Sequence, residues 1–132
     1  MVNEKTSGER ITLIGIGYDG DGEPIPDAMI EIWQPDAKGI FNRPLDPLHD
    51  QVDPHFRGCG RAETCNAGKY EFKTIKPGGR SGMPPYINVH VFVRGMLIHA
   101  MTRVYFSDEM VNADDPVLSS VEPERRHTLN AP

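Results

Sequence analysis

The chain reads as an all-β protein, a sandwich of mostly antiparallel strands with long loops and one or two short helices. Three observations point there. Thirteen Gly and twelve Pro cut the 132 residues into short runs. Those runs alternate apolar and polar residues, which is the period of a half-buried strand. No amphipathic segment is long enough for a substantial helix. The length suits one domain over residues 1–132, with 1–9 as a flexible lead-in.

The elements follow in order. Arg10 to Tyr18 is the first strand, closed by Asp19-Gly20-Asp21-Gly22, whose residue types tolerate the positive φ of a tight turn. Pro24-Ile25-Pro26 leads into Ala28-Met29-Ile30-Glu31-Ile32-Trp33, which alternates until Gln34-Pro35-Asp36 ends it. Residues 38–64 are rich in Pro, Asp and His without sustained periodicity and are expected to form a long excursion, the sort of loop that carries function or faces a partner. Lys69 to Ile75 is a strand with Tyr70, Phe72 and Thr74 on one face. Ile87–Val93 and Leu97–Phe106 form a final pair turned at Arg94-Gly95-Met96. Asp108–Ala113 and Pro123–Leu129 are the helix candidates, the second with Pro in its first turn and Glu122 and Glu124 placed to favour the dipole.

Composition excludes several functions. Nineteen acidic against fourteen basic residues give a formal charge of −5, and no Lys/Arg run offers a nucleic-acid footprint. No apolar stretch approaches the ~20 residues of a membrane helix. The first eight residues are polar, unlike a signal peptide, so the cytoplasm is the expected compartment. Cys59 and Cys65 are then expected to be free thiols.

The chemistry-bearing residues gather on one strand. Asn88 and His90 share a face because side chains alternate along a strand. Two imidazoles in that register would suit a metal, but an amide oxygen is a poor ligand for iron, copper or zinc. Tyr86 enters the same strand after Pro84-Pro85 and is expected to cap the sandwich. His90 reads as a buried, hydrogen-bonded strand histidine, and His99 and Arg103 as structural. His49 and His55 are expected to be solvated among Asp46, Asp50 and Asp53. Trp33 is expected to fill core or interface with its indole N–H paired, and Asp108-Glu109 and Asp114-Asp115 to be solvated helix-end charges.

Residues 22–37, from Gly22-Glu23-Pro24-Ile25-Pro26 to Gln34-Pro35-Asp36-Ala37, resemble the opening hairpin of the intradiol ring-cleavage dioxygenases. Thr74-Ile75-Lys76-Pro77-Gly78 and the Asn88/His90 strand follow in the same order. Within that family, Ile87 to Leu97, Arg103 to Glu109, Asn112 to Leu118 and Pro123 to Leu129 are similar to its α-type chains. The resemblance runs from Arg10 to Leu129. It implies a β-sandwich and a partnership with a homologous β chain that holds Fe(III) through two Tyr and two His. Matched position by position, the first Tyr is Phe41, and the second falls in Gly79-Arg80-Ser81-Gly82-Met83, which has none. The first His is Asn88, and only His90 remains. The resemblance therefore implies no catalytic residue and no metal in this chain, and iron in the partner. It further implies an oligomer that cleaves an aromatic diol carboxylate, with Arg94 facing the substrate carboxylate in a shared cleft. Family α chains extend further at both ends, so this sequence is expected to be a short relative or a fragment. Read from the residues alone, two alternatives stay open: a metal site rebuilt from His90, Tyr86 and a third ligand, and a stand-alone binding module.

Overall fold

The computed structural model describes residues 1–80, 82–109, 112 and 115–132. Among these residues seven strands run in the order β1 (Arg10–Ile16), β2 (Met29–Trp33), β3 (Cys59–Glu63), β4 (Lys69–Ile75), β5 (Tyr86–Phe92), β6 (Ala100–Phe106) and β7 (Asn130–Ala131). Strands β1 and β4 form an antiparallel two-stranded sheet. The other five make a sheet of order β3-β2-β5-β6-β7, antiparallel except for the parallel β6–β7 pair.

Alternation builds the core between the two sheets. Ile30 and Ile32 of β2, Ile87 and Val89 of β5 and Phe72 of β4 are buried in one cluster with Ala28. Leu13, Tyr70, Val91 and Val104 pack around it. Each fully buried Ile contributes about 1.5–3 kcal/mol relative to exposure. The other face of the five-stranded sheet carries Trp33, Glu31, Asn88, His90 and Arg103, because these residues have the opposite parity.

Several expectations need correction. The excursion over 38–64 contains strand β3, which pairs along β2 from Met29↔Glu63 to Trp33↔Cys59. Strand β6 begins at Ala100, not Leu97; Met96, Leu97 and Ile98 lie in the connecting turn and are exposed. A short helix α1 covers Pro116–Ser119, and Pro123–Leu129 is a 3₁₀ helix. The expected helix over 108–113 lies partly outside the described residues. Asp115 is not solvated: it is buried, accepts from Tyr105 Oη at 2.7 Å and caps α1 through Leu118 N at 2.8 Å. Asp114 is outside the described residues, whereas Asp108 and Glu109 pair with Lys76.

The first nine residues make specific contacts. Met1 packs against the core beside Gly60, where a Cβ would lie 2.6 Å from its sulfur. Met1 O accepts from Arg57 N at 3.0 Å, Thr6 is buried with its hydroxyl donating to His55 O, and Ser7 N reaches Asp53 Oδ2 at 2.9 Å. Cys59 and Cys65 are free.

Candidate active-site cleft

Strand register sets the site. Cys59, Trp33, Asn88 and Arg103 lie side by side across β3, β2, β5 and β6, and Arg61, Glu31, His90 and Met101 form the next row. A cavity of about 760 Å³ opens over the β3–β2–β5 part of this face, bounded by Trp33, Phe41, Arg43, Arg57, Arg61, Asn88 and His90 among others. A second, of about 530 Å³, lies on the β6 side of Asn88 and His90 and is closed by Val117, Val121 and Leu129. Asn88 and His90 thus form the ridge between two hollows.

The loop after β2 is fixed by buried carboxylates. Asp36 accepts from the N–H groups of Lys38, Ile40 and Asp53 at 2.9–3.0 Å. Asp46 accepts from Phe41 N and Leu48 N, both at 2.9 Å, and from Arg80 through two bonds of 2.9 and 3.1 Å. Arg80 and these N–H groups hold the Asp46 carboxyl well below the usual carboxylate range, against the opposing effect of burial. The loop therefore presents Phe41 and Arg43 to the cavity from a braced backbone, with the Arg43 guanidinium 4.7 Å from the centre of the Phe41 ring.

Glu31 is the charged centre of the sheet face. It accepts from Trp33 Nε1 and Arg61 Nε, each at 2.6 Å. The bond from Trp33, then that from Arg61, lowers its pKa despite desolvation. The Trp33 indole is paired as expected, but the residue is 43% exposed and lines the cavity rather than filling the core. His90 is half-buried and not buried as expected; its Nδ1 stands 3.6 Å from Glu31 Oε1, beyond hydrogen-bonding range, and its ring is 5.2 Å from His99. His99 stacks on Phe92 at 4.7 Å.

Tyr86 shares the face of Asn88 and His90 but lies beneath Arg103, whose guanidinium is 4.1 Å from its ring centre. Its ring is 6.1 Å from Tyr105 and 6.5 Å from Phe41, so it packs among aromatics. A guanidinium over the phenol opposes a second cation there. Arg94 lines neither cavity. It stands on the turn after β5 with its side chain 85% exposed, paired with Asp27. His55 is exposed as expected, but His49 is half-buried and Asp46 is buried, against the expectation of a solvated cluster.

The structure brings together three of the positions that the resemblance marked as iron-ligand places: Phe41, Asn88 and His90 border one cavity. Their donor set does not fit a ferric ion. A phenyl ring has no donor atom, an amide oxygen is a weak one, and a single imidazole cannot hold the metal alone. In the loop after Gly78, Arg80 is engaged with Asp46. Among the described residues, no group of three or more His, Cys, Asp or Glu is arranged to hold a metal. Arg43 and Arg57 escaped sequence reasoning; their only signal was a position in a long ordered loop.

A sandwich whose outward sheet face carries a cleft at the Phe41, Asn88 and His90 positions matches a known family along its length: the Dioxygenase_C model, described as dioxygenase, covers residues 1–130. The chain belongs to the intradiol ring-cleavage dioxygenase family. More particularly, it is similar to the protocatechuate 3,4-dioxygenase α chains of Pseudomonas putida and Burkholderia cepacia, at 42% and 44% identity, each over 94% of this chain. Identity to the B. cepacia β chain is 31% over 96% of this chain. The chain spans 63% and 64% of the length of those α chains and 57% of the β chain. The dioxygenase domain of a carbohydrate-binding fusion protein from Streptomyces sp. SirexAA-E shares the fold at a TM-score of 0.76 and 23% identity, over 98% of this chain and 72% of that one. Catechol 1,2-dioxygenase from Acinetobacter sp. ADP1 does so at 0.70 and 24%, over 85% and 41%. Among the described residues no helix is long and apolar enough to cross a membrane.

Proposed function

We propose that this chain is an α-type subunit of an intradiol dioxygenase that converts 3,4-dihydroxybenzoate and O₂ to 3-carboxy-cis,cis-muconate. The ferric ion would be held by a homologous β chain, and the α-type chain would complete the substrate cleft. One observation carries this reading: a member of an iron-dependent family presents a phenyl ring, an amide and one imidazole where ligands would stand. Such a chain does not perform metal-dependent ring cleavage alone, so its use is as a partner. Greater identity to the two α chains than to the B. cepacia β chain supports the same reading.

In this reading Arg94 supplies the positive charge for the substrate carboxylate in the neighbouring cleft. Its exposure and its place on a turn let it reach across a subunit boundary, and Asp27 restricts its rotamers beforehand. Met96, Leu97 and Ile98, exposed on the same turn, give that boundary apolar area.

The chain is expressed alone and with a candidate β chain, and bound iron and 3,4-dihydroxybenzoate turnover are measured. Iron and turnover confined to the co-expressed complex are the expected result. Arg94→Ala should then raise KM about tenfold with kcat little changed, the signature of lost substrate binding. Iron and turnover in the chain alone would show a rebuilt site. Absence of both in every pairing would leave a stand-alone binding module.

A further inference from the structure

The cavity over β3, β2 and β5 carries an unexpected charge. In a chain of net charge −5, it gathers Arg43, Arg57 and Arg61 and has no Asp or Glu among its lining residues. Glu31 offsets Arg61 from behind. Arg43 and Arg57 have no ion-pair partner among the described residues, and both are exposed. Two unopposed guanidinium groups at one hollow favour an anion, and their planar forks match a carboxylate. Two aromatic residues, Trp33 and Phe41, also line it, and Trp33 is 43% exposed with its N–H occupied by Glu31. Asn88, which can both donate and accept through its amide, also borders this cavity.

We propose that this cavity is a ligand site of the chain's own, binding an aromatic carboxylate without transforming it. Arg57 and Arg43 hold the carboxylate, and Trp33 packs against the ring. The cavity has room for such a ligand, at about 760 Å³ against the 300–1,000 Å³ common for small-molecule sites. The buried Asp36 and Asp46 networks brace the loop that carries Arg43, which lowers the cost of ordering it on binding. The inference stands apart from any β chain, because every residue it uses lies in this one.

Trp33 is the single tryptophan, so its fluorescence reads the site directly. The 132-residue chain is titrated with benzoate, with phenol as the uncharged ring and inorganic phosphate as the ring-free anion. Saturable quenching by benzoate is expected, with phenol and phosphate each at least about tenfold weaker. Arg57→Gln and Arg43→Gln should each weaken benzoate about tenfold while circular dichroism stays unchanged, since both side chains are exposed. Lys73→Gln, on the other sheet, should leave binding as it is. Affinity should fall as salt rises. The proposal is overturned if benzoate gives no saturable change at tens of millimolar, or if phosphate or phenol binds as tightly. Benzoate affinity indifferent both to the two arginine changes and to salt would overturn it too. A chain that binds benzoate yet never gains activity with a β chain removes only the subunit reading. An active complex whose Trp33 ignores benzoate removes only this one.

Discussion

At the scale of residues, single groups decide what this cleft can do. Phe41 and Asn88 offer the cleft no strong metal donor, while Arg43 and Arg57 give it charge. Elsewhere one hydroxyl ties the C-terminal segment to the sheet. Burial, with the Asp115 carboxylate, pushes the Tyr105 phenol up to about 12, so it stays a donor at every ordinary pH. Tyr105→Phe leaves buried Asp115 short of a donor and should cost about 1–3 kcal/mol, measured as a fall in the urea midpoint at constant slope.

At the scale of elements, the sequence displayed those strands whose residues alternate and concealed those whose residues do not. β1, β2, β4 and β5 each carry an apolar face with period two, and their positions were legible for that reason. β3 reads Cys59-Gly60-Arg61-Ala62-Glu63, with nothing large to bury; it is a strand because β2 offers it hydrogen bonds and Met1 covers Gly60. β7 is two residues long and α1 four, too short for any period. The face shared by Asn88 and His90 followed from parity. The approach of Arg43 and Arg57 depends instead on how a loop folds back over the sheet, and no local pattern encodes it. Gly78 is where that folding is tightest: a Cβ there would stand 2.3 Å from Ala37 O and 2.7 Å from Gly39 N. Gly78→Ala should therefore destabilise by about 2 kcal/mol or more in thermal unfolding and loosen the loop that presents Arg43.

At the scale of the molecule, Asp46 couples stability to acidity. Its folded pKa is depressed, chiefly by Arg80, so its contribution is complete above the unfolded value of about 3.9 and disappears as pH falls through the folded one. The denaturation midpoint should drop between about pH 4 and about pH 2, and Asp46→Asn, less stable at neutral pH, should show a shallower drop. Pairing in the smaller sheet has a different sort of consequence. Arg10 pairs with Ile75 and Ile16 with Lys69, so β1 waits for residues 53 to 65 positions downstream. At roughly 5–20 residues per second, that interval lasts roughly 3–13 s on the ribosome. Throughout it Ile11, Leu13, Ile14 and Ile16 have no strand partner, so an apolar strand stays unpaired for longer than the formation of a hairpin or a helix requires.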